Sequence, residues 1–525
     1  MGEFMIIEKM KMKNFKKFKG EKEIYFNNDF NIIIGNNESG KSSILLGLDL
    51  VLSGSQNKVD NLGLENIFNS EIIDEFINGE RDITKIPELY IELYLKETLI
   101  PELSGTNNSE KRECDGISLR ICLDEDFLKV VNNSLKNNNA VFPFEYYKCI
   151  FKKFSDESYN SYKRPIKHMI IDESNLSNDY YVKEYISNLY SAYADESTKN
   201  ILNNQFRKLK QEFGDNNLAE LNQKIPDVNF GLANHNKYSL ENNLTIYEQG
   251  ISIWNKGSGS ICMLKIKTSI DKKSENVDLI LVEEPENHLS DVNMKKMITD
   301  IMESKKKQTF ITTHNSMVCS RLDLRKIIAL SKNSISTTEF NNIPEETAIF
   351  FAKCPSNTIL NFILSDKVIL VEGAAEYILL EKFYSIITDN IPETNNVNII
   401  SVNGLSFKRY LEVAKELGKK VAVITDNDGD YNYNIIDNYK DYAELDNIKI
   451  FSDNDNNRYT FEICLYEDNK DYLLKNKITN VQDIKKFMIN NKSESAFRIL
   501  EQLEINNDQF NIPLYIKDAI EWIKN

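Results

Sequence analysis

The sequence predicts an α/β protein with a large nucleotide-binding domain followed by a smaller parallel-sheet domain. Three observations lead there. A phosphate-binding loop stands between a strand and a helix at 31–52. Apolar strands run into polar, chemically active residues at 278–284 and 308–314. A second alternation of strands and helices begins at 367, and two of its strands end at Glu372 and Asp426.

The first element is "NIIIGNNESGKSSIL", starting at Asn31. Ile32-Ile33-Ile34 reads as a short buried strand, and Ser42 onward reads as a helix. Between them, Gly35, Asn36, Asn37, Glu38, Ser39, Gly40, Lys41 and Ser42 fit G-x-x-x-x-G-K-[ST]. Gly35 and Gly40 let the backbone curl so that its N–H groups face a phosphate. The helix start at Ser42 and Ser43 adds partial positive charge. Lys41 is suited to the β- and γ-phosphates of ATP or another nucleoside triphosphate, and the Ser42 hydroxyl to its Mg²⁺.

Composition bounds what surrounds this element. A chain of 525 residues, 41% hydrophobic and 27% charged, has the make-up of a soluble globular protein of two to four domains. No apolar run approaches the roughly 18 residues of a membrane span, and no secretory leader precedes the first strand. Seven scattered cysteines without a C-x-x-C pair suggest reduced thiols in the cytoplasm and give no zinc signal. Four histidines, at 168, 235, 288 and 314, leave no His-rich metal site. A net charge of −16 argues against a sequence-independent nucleic-acid coat, but not against a DNA enzyme whose carboxylates hold a metal.

Residues 5–26 alternate apolar and charged side chains and predict two antiparallel strands joined at Gly20; 88–95 and 117–123 predict further strands. The polar stretch 55–80 reads as a partly helical connection. From 181 to 213, Val182, Ile186, Leu189, Tyr193, Leu202, Phe206, Leu209 and Phe213 recur at helical spacing. This pair of amphipathic helices is either a lobe packed on its own domain or a dimerisation arm. Strands follow at 278–282, 308–313 and 326–330, then a connection at 341–362. The second domain has strands at 367–371, 397–402, 421–425 and 447–451, helices near 375–388 and 406–418, and a helical tail from 481 to 525.

Hydrolysis needs a carboxylate on the metal side and a group that positions water. "DLILVEEPENHLS" supplies Glu283, suited to support Mg²⁺ through water, and Glu284, suited to orient the attacking water. "TFITTHNS" puts His314 at the end of the next strand, where a γ-phosphate sensor would sit; His288 reads as shaping its loop. In this order the segments resemble the ATP-binding-cassette (ABC) ATPases of the recombination and SMC branch. The resemblance implies a signature segment completed across a dimer. Its counterpart here is "NKGSGSICMLKI", in which Gly257, Ser258 and Gly259 would cap the γ-phosphate of a second copy. Relatives place a Gln shortly after; Ile261 stands here, a departure that bears on the efficiency of hydrolysis.

In "KVILVEGAAEYILLEKF" a buried strand ends at Glu372, Gly373 turns, and Glu376 lies in the first helical turn. "VAVITDNDGDYN" ends a second strand before Asp426, Asp428 and Asp430. Carboxylates at the carboxyl edge of a parallel sheet suit Mg²⁺ or Mn²⁺. An EF-hand is excluded, because its sixth and twelfth positions would be Tyr431 and Asp437 rather than Gly and Glu. The pair of acidic strand ends resembles the Toprim fold of topoisomerases, primases and nucleases. An N-terminal ATPase joined to a C-terminal Toprim resembles the OLD (overcoming lysogenisation defect) nucleases, with support from "SVNGLSFKRYL", "RYTFEICLYE" and "NNKSESAFRIL".

That resemblance implies an ABC/SMC-like ATPase domain at 1–345 with a helical dimerisation insert near 175–230, then a Rossmann-like Toprim nuclease domain at 346–525. It implies a further metal ligand at Glu462 and a phosphate-stabilising lysine at Lys492. Glu372, Asp426 and Asp428 would be catalytic, with Glu376, Asp430 and Glu462 completing the metal ligands. Within the family, the nuclease subunits of Gabija antiphage systems are most similar. They imply cleavage of double-stranded DNA, a homo-oligomer (dimer or tetramer) and a UvrD-like helicase partner. The alternatives are a non-nucleolytic SMC- or RecF-type clamp and a topoisomerase-like enzyme; the latter lacks a recognisable region to house a nucleophilic tyrosine.

Overall fold

The computed structural model describes residues 5–98, 100–136, 141–171, 179–225, 227–233, 239–257, 259–264, 278–287, 289–303, 307–315, 323–330, 335–336, 339–354, 358–404, 406–479, 483–505 and 509–524. They fall into two compact units, Met1–His314 and Asn315–Asn525.

The first unit contains two sheets. An antiparallel sheet runs Phe18–Tyr25, Ile7–Phe15, Leu89–Leu95, Cys114–Leu123, Tyr147–Lys153. A parallel sheet runs Phe30–Gly35, Gln308–Thr313, Leu279–Glu283, His168–Ile171. Its central strands are buried almost along their whole length because both faces are covered; Ile32, Ile33 and Ile34 are fully buried, and so are Thr309, Thr312 and Thr313. The helix Lys41–Ser53 touches strands of both sheets. Gly47 makes that fit possible, since a Cβ there would meet the Met10 side chain at 2.5 Å. Gln308 joins the sheets where two inner strands begin. Its side chain accepts from the Ile7 N–H at 2.9 Å and donates to the Ile7 and Asn27 carbonyls, each at 2.8 Å.

The hairpin does not turn at Gly20. Phe15 pairs with Phe18, so the turn is at Lys16 and Lys17, with Asn14 and Lys16 at φ 55° and 52°. Gly20 lies inside the second strand, and its N–H donates to Asn14 Oδ1 at 3.1 Å. Lys16 thus takes the positive φ in the turn expected of glycine, and Asn14 a second one just before it.

The paired helices of the insert are Asp179–Tyr193 and Glu196–Asn217. Val182 and Ile186 are buried, whereas Leu209 and Phe213 on the second helix are exposed. The stretch 341–362 is not a simple connection: helices Glu345–Lys353 and Thr358–Leu364 occupy most of it. Pro344 stands at the cap preceding the first, where proline is compatible with a helix start.

The second unit is built on a four-stranded parallel sheet ordered Val397–Ser401, Lys367–Val371, Lys420–Ile424, Ile448–Phe451. Ile369 and Val371 join a core with the helices Ala374–Thr388, Lys492–Ile505 and Leu514–Lys524. Val368 and Leu370, on the alternate face, are equally buried. The chain leaves Lys367–Val371 for one neighbour and later returns to the other. The carboxyl end of that strand is therefore the switch point at which such sheets bind ligands.

Candidate functional site

Two constellations form, one on each parallel sheet. On the first unit, Gly35 closes its strand and the loop turns through Glu38 and Gly40, at φ 63° and 102°. A side chain at Gly40 would also meet Lys17 and Phe18 at 2.8 Å, so glycine is required there twice over. Lys41 is buried at the helix start, and its Nζ donates to the Gly35 and Asn36 carbonyls at 2.8 and 3.3 Å. Those bonds hold the ammonium under the loop, where a phosphate would meet it. A cavity of about 420 Å³ lies over the loop, lined among others by Lys17, Asn37, Ser42, Ser43 and Glu284.

Glu283 ends its strand level with Thr312 of the neighbouring strand. Glu284 follows at φ 39°, held by its N–H on the Thr312 carbonyl at 3.0 Å. Its Oε1 lies 4.0 Å from Lys41 Nζ and 3.6 Å from His314 Nδ1. The structure thus brings Lys41, Glu284 and His314 together. It adds a residue that sequence reasoning passed over. Glu286 Oε1 accepts from the Thr313 hydroxyl and from the His314 N–H, both at 2.7 Å, and stands 3.2 Å from His314 Nδ1. Glu286 fixes where His314 sits; the only sequence signal was its place in the Glu-Pro-Glu turn. Gly259 opens a helical turn, and the Ser260 N–H bonds the Gly257 carbonyl at 3.0 Å. Ser258 and His288 lie outside the described residues.

On the second unit, Val371 pairs with Ile424 in register, so Glu372 and Asp426 emerge side by side from adjacent parallel strands. Glu376 is buried in the first turn of Ala374–Thr388, and its Oε2 accepts from the Gly373 N–H at 3.2 Å. Glu462 opens the helix Phe461–Asp468 and is only 2% exposed, with neither carboxylate oxygen hydrogen-bonded. Lys492 opens Lys492–Ile505, a helix packed on Ala374–Thr388, and its Nζ lies 3.3 Å from Glu462 Oε2. That pair is an ion pair by distance, without the geometry of a hydrogen bond.

The electrostatics show how closely these groups converge. Burial, then Glu376, Glu372 and Glu462, push Asp426 up to about 8, with Lys492 opposing. Burial, then Asp428 and Glu462, raise Glu372 above the usual carboxylate range. Glu376 is raised too, by burial first, against its backbone bond and with Glu462 and Glu372 adding to the shift. Burial works against the Lys492 ammonium, but Glu462 and Asp426 outweigh it and raise its pKa. Asp428, at φ 49°, is tied by its N–H to the Tyr459 carbonyl at 3.2 Å. Asp430 serves its own loop, where its Oδ1 accepts from the Tyr433 N–H at 3.1 Å.

Among the described residues, no three His, Cys, Asp or Glu side chains form a ready-made metal cage. The fit to a divalent cation rests on charge. Several carboxylates share a sheet edge with one lysine, and the buried Glu462 carboxylate has no hydrogen bond, only the ion pair with Lys492. Tyr439 is a second residue the sequence did not single out. It is buried, and burial and the charge of Glu372 push its hydroxyl up to about 12.

A phosphate-gripping loop in one unit and an acidic Toprim edge in the other define an ATPase joined to a nuclease-type domain. The AAA ATPase domain family matches residues 5–318, and the family described as "Overcoming lysogenization defect protein-like, TOPRIM domain" matches residues 363–428. The chain belongs to the AAA ATPase domain family, and it joins to that domain a Toprim domain like that of the overcoming lysogenization defect proteins. It is similar to "Endonuclease GajA" of Bacillus cereus (strain HuB5-5), at 22% identity over 95% of this chain and 81% of the relative. Similar solved structures include the recombination mediator protein RecF with ATP, at 12% identity, covering 63% of this chain and 99% of that one, TM-score 0.35. The SMC head domain from Thermotoga maritima is another, at 14% identity, covering 62% and 95%, TM-score 0.30. No described helix is long and apolar enough to cross a membrane.

Proposed function

We propose that this chain is an ATP-regulated, divalent-metal-dependent DNA endonuclease that nicks or cuts duplex DNA in antiphage defence. One observation supports this above the others: the exposed Glu372 and half-buried Asp426 of two adjacent strand ends and the buried Glu376 and Glu462 of two helix starts converge on one lysine. Glu372, Asp426 and Glu462 would hold Mg²⁺ or Mn²⁺, with Glu376 and Asp428 beside them. The ion supplies Lewis acidity at the scissile phosphate and lowers the pKa of water. The Lys492 ammonium, at a helix N-terminus, would stabilise the charge that builds on a phosphate oxygen. Asp430 shapes the loop.

In the ATPase domain, 1–345 by this proposal, Gly35 to Ser43 cradle the triphosphate, Glu284 orients water, and Glu286 holds His314 toward the γ-phosphate. Gly257, Ser258 and Gly259 would act on the nucleotide of a second copy, which makes the active form a homo-oligomer. The exposed Leu209 and Phe213 of the insert suit that pairing. A cytoplasmic setting, taken from the scattered cysteines, and a UvrD-like helicase partner, taken from the likeness to the Gabija nuclease, complete the proposal.

The test is conversion of supercoiled plasmid by the purified chain. Mn²⁺ without nucleotide should yield open-circular or linear DNA, EDTA should abolish this, and ATP should slow it. Absence of cleavage across a full titration of Mn²⁺ and Mg²⁺ would contradict the proposal. Relaxed closed circles would point to a topoisomerase-like enzyme instead.

A further inference from the structure

Between Asp426 and Asp428 stands Asn427, whose side chain is 1% exposed. A buried amide at the edge of a parallel sheet is costly unless each of its polar atoms is satisfied. Here each one is. Nδ2 donates to the Asp453 carbonyl at 2.8 Å and the Asp455 carbonyl at 3.0 Å, and Oδ1 accepts from the Gly429 N–H at 2.8 Å. The acceptor bond closes the tight turn of the Asp-rich loop. The donor bonds tie that loop to a segment about thirty residues away, which runs directly into the helix bearing Glu462.

Three more bonds join the same two stretches. The Asp428 N–H donates to the Tyr459 carbonyl at 3.2 Å, the Tyr431 N–H to Asn456 Oδ1 at 3.0 Å, and the Phe461 N–H to Asp426 Oδ1 at 2.8 Å. The segment is braced from its other side by Arg458, which bonds Asp453 at 2.7 Å and Asp468 at 2.7 and 2.9 Å. The distance between Asp426 and Glu462 is therefore set by a zip of hydrogen bonds whose one fully buried side chain is Asn427.

The geometry points to Asn427 as a positioning residue: it locks the Asp426–Asp428 loop against the 453–461 segment and so fixes the separation of Asp426 and Glu462 for a divalent cation. Asn456 assists from the exposed side. Asn427 touches neither substrate nor ion. Its side chain is spent entirely on backbone groups, so it acts through the carboxylates on either side and through Glu462. The proposal rests on the nuclease reading of the same site, and its test keeps the two apart.

The experiment compares the full chain, stripped with EDTA, as wild type, Asn427→Ala, Asn456→Ala and Asn469→Ala. Asn469 is a matched control. It is equally a buried asparagine joining two backbone stretches, bonded to Leu465 and Asn511, but it sits at the far end of the Glu462 helix, roughly 10 Å away at the helical rise per residue. Calorimetric titration with Mn²⁺, the Mn²⁺ dependence of plasmid nicking, and thermal melting are the readouts. Asn427→Ala should weaken Mn²⁺ binding by about tenfold or more, and raise half-saturating Mn²⁺ for nicking by the same factor. Asn456→Ala should move both in the same direction by less, and being exposed it carries the test if Asn427→Ala fails to fold. Asn469→Ala should lower the melting temperature while leaving Mn²⁺ affinity near wild type. Unchanged Mn²⁺ affinity in the Asn427 and Asn456 variants, or an equal shift in Asn469→Ala, overturns the proposal. A wild type that binds Mn²⁺ without nicking DNA defeats the nuclease reading, and the positioning role is then judged on calorimetry alone. A wild type that does not bind Mn²⁺ defeats both.

Discussion

The two sites solve opposite electrostatic problems. At the phosphate loop the charges already have partners: Lys41 is bonded to two backbone carbonyls, and Glu284 lies between Lys41 and His314. The N–H groups and the ammonium there await an anion. At the Toprim edge, negative charge is concentrated beyond what Lys492 can balance, and Asp426 is pushed up to about 8 as a result. A charged ligand of the other sign relieves that strain. The contrast shows how one α/β plan, a strand ending in a loop before a helix, serves either sign. Glycines and a lysine at the turn select phosphate, and carboxylates there select a cation.

The contrast can be broken by variants that strike one site alone. The largest effect is expected from Asp426→Ala, which should lower plasmid nicking at least about a hundredfold by misplacing what the carboxylates hold. ATP hydrolysis should survive, because the two sites stand on separate sheets. Lys41→Ala is the mirror image. Hydrolysis should fall at least about a hundredfold through lost charge stabilisation, while nicking without nucleotide stays near wild type and no longer responds to ATP. Loss of nicking in a folded Lys41→Ala protein would break the separation.

A third prediction uses the strain itself. Burial and the neighbouring Glu376, Glu372 and Glu462 push the Asp426 carboxyl up to about 8, against 3.8 ordinarily, and Glu372 and Glu376 are raised as well. Between those pH values the native chain holds protons that the unfolded chain has released. Stability is therefore fully present at the acidic end and is lost as pH rises toward 8. In EDTA the melting temperature should fall over that window, and Asp426→Asn should flatten the decline. Mn²⁺ should restore the melting temperature at high pH, because an ion competes with protons for the same oxygens. A melting temperature that rises with pH in EDTA would contradict this. The smallest effect is expected from Asp430→Ala. Losing the bond to the Tyr433 N–H should cost about 0.5–1 kcal/mol of stability, as for a lost helix cap, and leave nicking close to wild type.

Much of both sites was legible because their chemistry lies in local runs. Gly35 to Ser43 and Glu283-Glu284 announce themselves by residue type, and Glu372 and Asp426 by ending apolar strands. What escaped depends on contacts distant in sequence or on backbone detail. Glu286 matters because it meets Thr313 and His314 at the end of the neighbouring strand, and Asn427 because it reaches Asp453 and Asp455. Neither partnership leaves a spacing to read. The Gly20 turn misled because Lys16, a residue with no turn signature, accepted the positive φ, and the helices within 341–362 were hidden by a proline that precedes a helix as readily as it breaks one.

The central claim is that the Toprim carboxylates cut DNA, and plasmid nicking by wild type and Glu372→Ala across one Mn²⁺ titration tests it most directly. Glu372 follows a buried strand and faces the sheet edge, so its removal leaves the core intact, which retained ATP hydrolysis and melting would confirm. The account predicts robust nicking by wild type and none by Glu372→Ala at any Mn²⁺ concentration. Wild-type-like nicking by a folded Glu372→Ala chain would contradict it.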